Sequence, residues 1–147
     1  YTNLLSMDDS KRLGLVASCP TLFQVNIHKD YDLRITVVGS RCFPVALHSQ
    51  ERDASQIDCR RDNMQEMRYS VVDDLPTDLT RQLVSLVRSY GLYFGAIDVV
   101  RADDGRYWFL ELNPAGQWAW LEQIVKVPIS NALAECLLEE IGTSGQQ

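Results

Sequence analysis

Apolar and polar residues alternate in three consecutive segments of the first third of the chain, as they do in half-buried strands. These strand candidates are residues 21–28 (TLFQVNIH), 32–39 (DLRITVVG) and 41–48 (RCFPVALH). The second and third meet at Gly39 and Ser40, a pair suited to a tight hairpin turn. Pro44 inside the third predicts an edge strand or a bulge, because proline cannot donate a ladder hydrogen bond.

Helical spacing of apolar residues predicts two longer helices. Residues 75–91 (LPTDLTRQLVSLVRSYG) have Thr77 as a candidate cap at their start. Residues 128–142 (PISNALAECLLEEIG) open with a proline suited to a first helical turn, and Gly142 is expected just beyond the helix end. A weaker helix candidate, residues 7–18, stops before a Cys-Pro pair.

Two further strand candidates, residues 93–101 (YFGAIDVVR) and 106–113 (RYWFLELN), are joined through a segment whose Asp104-Gly105 pair favours a hairpin turn. The element order is three antiparallel strands, a helix, a hairpin and a helix. This order predicts an α+β fold in which helices flank a largely antiparallel sheet. Residues 50–70 are polar and mixed in charge, and they predict a long loop of the kind that often binds ligands.

The second hairpin carries two carboxylates on one face. With a two-residue turn, Asp98 lies directly opposite Glu111, and Ala96 lies opposite Asn113. With a four-residue loop, Asp98 and Glu111 become diagonal neighbours on the same face. Like charges about 5 Å apart destabilise a strand pair, so a shared proton, a nearby arginine or a hard cation such as Mg²⁺ is expected to offset them. The alternative is a polar face turned toward water.

The segment after this hairpin, NPAGQW, changes the character of the chain. Pro114 ends the strand, and Gly116 stands where the backbone can approach a ligand closely. Trp118, Trp120 and Leu121 are predicted to pack in the core.

Composition narrows the function classes. Twenty acidic residues against 14 basic ones give a net charge of −6, which argues against nucleic-acid binding. No apolar run approaches the ~18 residues of a membrane span, and no signal-peptide pattern stands at the start. Four widely spaced cysteines without a C-x-x-C pair predict reduced thiols in a cytoplasmic protein, and only two histidines argue against a zinc site.

Several motifs, in this order, resemble those of the ATP-grasp fold. GAIDVV and GRYWFLELNPAGQW are similar to its metal-binding end, and FQVNIHKDYDLRITVVG is similar to its adenine hinge and phosphate-binding arginine. With FPVALHSQ, IDCRRD and GQWAWLE, the closest resemblance is to the graspetide synthetases. These ATP-grasp ligases cross-link side chains of ribosomally made peptides into ω-esters or ω-amides. The resemblance covers about residues 17–141.

The resemblance implies a role for each site residue. Asp98, Glu111 and Asn113 correspond to the Mg²⁺ ligands, in agreement with the hairpin geometry. Arg34 corresponds to the arginine at the terminal phosphate and Arg60 to the arginine of the substrate loop, and both are expected to be catalytic. The residues implied in nucleotide binding are Gln24, Val25, Asn26, Ile27, Lys29, Asp32 and Gly116.

Two positions depart from the family pattern. Val25 stands where the family has an acidic residue after the hinge glutamine. Cys59 stands between Asp58 and Arg60, where the family has an aromatic residue. The adenine contacts and the substrate fit are therefore less closely matched than the metal site.

The resemblance implies an ATP- and Mg²⁺-dependent ligase. ATP phosphorylates a substrate carboxylate, and a hydroxyl or amine then displaces phosphate from the acyl-phosphate. The implied partner is a ribosomal precursor peptide with its leader segment, while the oligomeric state stays open. The rivals are an ATP-grasp amino-acid or glutamate ligase and a non-catalytic peptide-binding remnant. GQWAWLE and IDCRRD favour the peptide ligase, and the intact metal-ligand set disfavours the remnant.

The chain starts at Tyr1 rather than methionine, and nothing in it matches the lysines and flexible loop of the upstream ATP-grasp lobe. Residues 1–147 are therefore expected to form a single unit, the C-terminal part of an ATP-grasp domain. The upstream lobe and an N-terminal domain are expected to be absent from this chain, which makes it an incomplete catalytic unit.

Overall fold

The computed structural model describes residues 2–144, with side chains described as far as residue 139. Tyr1 and residues 145–147, the two ends of the predicted 1–147 unit, lie outside the described residues. The strands are β1 (Lys29–Val38), β2 (Arg41–Leu47), β3 (Tyr69–Val71), β4 (Phe94–Ala102) and β5 (Tyr107–Asn113). The helices are α1 (Met7–Ser10), α2 (Thr77–Ser89), α3 (Ala119–Val125) and α4 (Ile129–Ser144).

Within residues 2–144 the strands form one antiparallel sheet in the order β3-β2-β1-β4-β5. Different helices cover its two faces, and successive side chains of β1 point to opposite faces. Ile35 packs with Val87 of α2 in one core cluster, whereas Val38 packs with Leu121 of α3 and Ile129 of α4 in a second. Each of these side chains is almost fully buried, which stabilises the fold by about 1.5–3 kcal/mol per side chain. The predicted α+β fold, with helices flanking an antiparallel sheet, is confirmed.

The prediction of the first strand is wrong. Residues 21–28 form no strand, and Leu22 and Val25 are each 82% exposed. The alternating segment finds no partner strand among the described residues, and a strand without a partner leaves its backbone hydrogen bonds unmade. The chain enters the sheet only at Lys29.

The strand on the outer side of β2 is β3, which the sequence pattern does not predict. β3 pairs with residues 45–47 of β2 and ends there, where the Val72 N–H donates to the Pro44 carbonyl (3.1 Å). Pro44 itself lies opposite Ile35 without a shift in register. β2 is therefore an inner strand, and the prediction of an edge or a bulge at Pro44 is wrong.

α2 and α4 confirm the two predicted helices, but their ends differ from the prediction. α2 begins at Thr77 without a side-chain cap, so Thr77 does not act as one. α4 continues through Gly142 to Ser144. Its start is held by Glu122 of α3, whose carboxylate accepts the Ser130 N–H (2.8 Å) and hydroxyl (2.6 Å). None of the described helices is long and apolar enough to cross a membrane.

The β4–β5 hairpin closes with a three-residue loop, 103–105, rather than with two or four residues. The Ala102 N–H donates to the Arg106 carbonyl (2.8 Å), and the last loop residue, a glycine, has the positive φ of 84° that such loops require. This loop shifts the strand pairing by one residue, so Phe109 lies opposite Val99.

A β-bulge next to Asp98 restores the predicted register. Leu110 is the extra residue of β5 at this point, because its neighbours on either side pair with consecutive residues of β4. Beyond the bulge Asp98 lies opposite Glu111 and Ala96 lies opposite Asn113, as predicted.

Candidate functional site

Three charged side chains form a row across the centre of the sheet. Arg34 on β1 pairs with Asp98 on β4, and Asp98 in turn pairs with Glu111 on β5. Directly opposed residues of an antiparallel sheet point to the same face, so Asp98 has a positive neighbour on one side and a negative one on the other. We call these three residues the charge row.

The contact between Arg34 and Asp98 is short. Arg34 Nε lies 2.6 Å from Asp98 Oδ1, and Nη2 donates to Oδ2 at 3.2 Å. The Nε–H is buried and makes no hydrogen bond of acceptable geometry, so this close approach is an ion pair. The nearby hydroxyl of Thr36, two residues along the same face, is buried and has no partner among the described residues. The motifs do not single out Thr36, although its alternation with Arg34 along β1 is visible in the sequence.

Within the charge row, Asp98 is the side chain whose ionised form costs stability. Burial raises the pKa of Asp98 to about 6; Arg34 opposes this rise and Glu111 adds to it. The folded-state value lies above the ordinary 3.8, so the folded protein holds this proton more tightly than the unfolded chain does. Ionised Asp98 therefore costs stability above about pH 6, and the cost disappears below about pH 4, where both states are protonated.

Asn113 continues the polar face at the end of β5. It is exposed, and its side-chain oxygen accepts the Ala115 N–H (2.9 Å). A second backbone contact, from the Gly116 N–H to the Asn113 carbonyl (3.3 Å), closes the same turn. The turn thus fixes the amide oxygen and leaves it one lone pair for another ligand.

The oxygen donors of this face fit Mg²⁺. No three His, Cys, Asp or Glu side chains converge on a metal site within the described part of the chain. The candidate donors are two carboxylates and one amide, from Asp98, Glu111 and Asn113. These are hard oxygen ligands, and Mg²⁺ commonly takes one or two carboxylates while water and phosphate fill its other positions.

Gly116 packs directly on the sheet. A Cβ at this position would lie 2.3 Å from the Ala96 Cβ and 3.4 Å from the Asn113 carbonyl oxygen. Only glycine lets the loop after β5 lie this close to β4, two residues from Asp98. Packing alone therefore accounts for a glycine at position 116, and the role of Gly116 in nucleotide binding stays a prediction.

Lys29 and Asp32 form a buried ion pair on β1. The Lys29 ammonium lies 2.8 and 2.7 Å from the two Asp32 oxygens, and the side chains are only 9% and 15% exposed. Ser49 donates its hydroxyl to the same carboxylate (2.5 Å). Asp32 shares a face with Arg34, so it ties the start of the long loop to the site face. The sequence carries no signal for Ser49, because this contact joins residues 17 positions apart.

Asp58 holds Arg60 in place within the long loop, residues 50–70, which carries the predicted substrate-loop arginine. Its buried carboxylate accepts two parallel bonds from Arg60, from Nε (2.8 Å) and Nη2 (2.7 Å), and a third from the Arg60 backbone N–H. The Thr2 N–H also donates to it (2.9 Å). These bonds, led by the Arg60 side chain, hold the pKa of Asp58 far below its usual range. The Arg60 guanidinium is thereby fixed along one edge, while the side chain as a whole stays 66% exposed.

Cys59 and Arg60 connect this loop electrostatically with the charge row. Burial raises the pKa of the Cys59 thiol to about 11, with smaller contributions from charges that include Asp32 and Asp98. The hydrogen bond to Asp58 raises the pKa of Arg60, and the charge of Glu111 adds a smaller contribution in the same direction. The structure therefore brings the long loop, the Lys29–Asp32 pair and the charge row to one region of the sheet face.

The predicted adenine hinge, residues 24–27, lies just before β1 in the chain. Its first three residues are exposed, and Ile27 is half-buried. Within residues 2–144, no hydrogen bond or ion pair joins this segment to the charge row. The role of Gln24, Val25, Asn26 and Ile27 in nucleotide binding stays a prediction.

No protein-family model and no curated protein matches the sequence, but solved structures match almost its whole length. A RiPP-associated ATP-grasp ligase of Chryseobacterium gregarium, in complex with ADP and a leader and core peptide, is 31% identical with a TM-score of 0.88. This match covers 95% of the present chain and 42% of that protein.

Two macrocyclases of Microcystis aeruginosa MRC are also similar. MdnC, bound with precursor peptide MdnA, is 37% identical with a TM-score of 0.79, over 95% of this chain and 43% of its own. MdnB is 32% identical with a TM-score of 0.61, over 92% of this chain and 45% of its own. The chain spans less than half the length of these proteins. The resemblance predicted from the motifs is confirmed.

Asp98→Asn removes one of the two opposed charges and keeps an acceptor for Arg34. Because ionised Asp98 costs stability above about pH 6, the metal-free variant is expected to exceed the wild type near pH 7.5 by on the order of 1 kcal/mol. The gain should fade toward about pH 4. Thermal melts with a chelator at both pH values measure it.

Asp104→Asn on the same hairpin is the control for this variant. Hydrogen bonding to Arg106 lowers the pKa of Asp104, so its charge is not a cost to the folded state and its removal should give no gain. A clear loss of stability in Asp98→Asn near neutral pH would contradict the opposed-carboxylate geometry.

Gly116→Ala places a methyl group 2.3 Å from the Ala96 methyl. Overpacking of this kind costs about 1–3 kcal/mol, so the unfolding midpoint in denaturant should fall. Gly14→Ala is the matched control, because a Cβ there meets nothing within 4 Å. An unchanged midpoint in Gly116→Ala would mean that the loop does not pack on β4.

Proposed function

The chain has the fold of RiPP-associated ATP-grasp ligases, and from this premise we propose that it holds the Mg²⁺–ATP complex of such a ligase against a peptide substrate. The charge row with Asn113 carries the proposal. Two opposed carboxylates favour a bound cation, and an arginine beside them offers positive charge to phosphate. The chain spans less than half of its structural relatives, so we assign residues 1–147 to the C-terminal part of the catalytic unit.

The metal role falls to the oxygen donors at the end of the hairpin. Asp98, Glu111 and Asn113 would hold Mg²⁺ on the sheet face. Bound there, the ion supplies positive charge to the phosphates of ATP and offsets the repulsion between the carboxylates. The Asn113 turn supports this role because it fixes the amide oxygen before any ligand binds.

The nucleotide role falls to β1 and the loops beside it. Arg34 meets the terminal phosphate and stabilises the charge on the phosphoryl group as it transfers. Lys29 and Asp32 lie on the same strand, and their mutual ion pair fixes both side chains in place. The remaining proposed contacts to ATP come from Gln24, Val25, Asn26, Ile27 and the backbone of Gly116.

The proposed reaction has two steps. A carboxylate oxygen of the peptide attacks the terminal phosphorus of ATP, the bond to the bridging oxygen breaks, and ADP leaves. A side-chain hydroxyl or amine then attacks the acyl carbon and loses its proton, and phosphate leaves with the former carboxylate oxygen. The Arg60 guanidinium, held along one edge by Asp58, belongs to a largely exposed side chain and orients the peptide carboxylate.

Two rival functions make different predictions. An ATP-grasp amino-acid or glutamate ligase would release phosphate from ATP when supplied with a free amino acid. A non-catalytic remnant would bind peptide without any response to nucleotide. The structural relatives in complex with precursor peptides favour the peptide ligase over both.

Glu111→Gln tests the proposal because it removes one charge and preserves the shape of the side chain. A non-hydrolysable ATP analogue with Mg²⁺ is expected to raise the melting temperature of the wild type, since a ligand that binds the native state stabilises it. The variant should lose the magnesium-dependent part of this rise. In the complete enzyme it should also lose peptide cross-linking, followed by mass spectrometry as the loss of one water per bond formed.

Glu135→Gln is the matched control. Glu135 of α4 is exposed and pairs with Arg41 at the start of β2 rather than with the charge row, so its variant should respond to nucleotide and magnesium as the wild type does. Normal cross-linking by Glu111→Gln would falsify the metal assignment. A wild-type enzyme that releases phosphate with free amino acids and ignores precursor peptides would favour the first rival.

A further inference from the structure

Arg34 and Arg60 bind their carboxylates in different ways. Arg60 grips Asp58 with two aligned bonds of 2.8 and 2.7 Å, the fork that guanidinium and carboxylate groups favour. Arg34 makes one bond to Asp98, at 3.2 Å, and its nearer nitrogen is not aligned to donate. Arg34 is therefore held mainly by charge, and a stronger positive charge at Asp98 can displace it.

Nothing else in the described part of the chain holds the Arg34 guanidinium. Asp98 is its single hydrogen-bonding and ion-pairing partner there, and the Thr36 hydroxyl beside it has no partner of its own. The charge row carries one positive and two negative charges. Arg34 is thus the countercharge that Asp98 receives from β1 in the absence of a metal ion.

A divalent cation between Asp98 and Glu111 needs the same carboxylate. Asp98 is only 26% exposed, and both of its oxygens already face Arg34. A cation bound there repels the guanidinium, because like charges at this range raise the energy of both. The partly buried site screens this repulsion less than water would.

We propose that Arg34 and the divalent cation compete for Asp98, so that the cation releases Arg34 toward the phosphate. This inference rests on the proposed function, because it concerns the same metal and nucleotide site. In the metal-free protein the guanidinium stays on Asp98. With the cation bound, the guanidinium turns to the terminal phosphate, so the phosphate-binding arginine becomes available only when the metal is present.

Arg34→Gln tests the competition by removing the competing charge and keeping a polar side chain. In the complete protein, titrated calorimetrically with Mg²⁺ or Mn²⁺ alone, the variant should bind the ion about fivefold more tightly than the wild type, since about 1 kcal/mol of ion pairing no longer opposes it. Its affinity for the Mg²⁺ complex of a non-hydrolysable ATP analogue should fall. These two opposite changes are the signature of the competition.

Two controls separate this effect from simpler ones. Arg41→Gln changes the net charge equally at an exposed ion pair with Glu135, and it should leave the affinity for the metal ion unchanged. Arg34→Lys keeps the positive charge, so it should bind the ion about as weakly as the wild type does. A gain in Arg41→Gln equal to that in Arg34→Gln would overturn the proposal, because net charge would then explain both.

A measurement on the wild type stands independently of the folding of any variant. The Nε–H resonance of Arg34, followed by NMR during titration with Mg²⁺, should shift as the guanidinium leaves Asp98. An unmoved resonance at saturating metal would overturn the competition, as would equal metal affinities in wild type and Arg34→Gln. A wild type that binds no divalent ion would remove the proposed function and the competition together, so the two failures are distinguishable.

Discussion

The antiparallel pairing of β1 with β4 is the interaction on which both the core and the charge row depend. It joins residues that are distant in the chain, such as Arg34 and Asp98, which are separated by 64 positions. On one face it places Ile35 beside Ile97 in the core, and on the other it places Arg34 beside Asp98. A slip of one residue would exchange the faces and bury charges under α2. The apolar core thereby fixes the register of the site.

The sequence predicted those elements whose partners lie nearby in the chain. The hairpin of β4 and β5 could be paired on paper, and Asp98 does lie opposite Glu111. Alternation alone failed in residues 21–28, because a strand also needs a neighbour and the pattern does not say whether one exists. β3 was invisible for the converse reason: its three residues are too short to show a period, and β2 alone gives them their structure.

The same distinction applies to the candidate site, where contacts within one hairpin were predictable and contacts between distant segments were not. Residue types and spacing were enough to bring Asp98, Glu111 and Asn113 together, because they stand on one hairpin. The sequence could not place Ser49 on Asp32, since that contact depends on how the long loop folds back. Nor could it show that the Arg34 guanidinium rests on Asp98, because that contact follows from the pairing of two strands far apart in the chain. Residue spacing predicts which side chains share a face within one element, whereas the strand pairing of the folded sheet determines which elements lie side by side.

The three-residue loop and the bulge of the second hairpin have a consequence for how this protein tolerates changes in length. The loop 103–105 displaces the pairing by one residue, and the extra residue Leu110 displaces it back. Deleting one loop residue alone, or Leu110 alone, would carry Glu111 out of line with Asp98. Insertions and deletions in this hairpin are therefore acceptable in compensating pairs, and a homologue with a shorter loop should also lack the bulge.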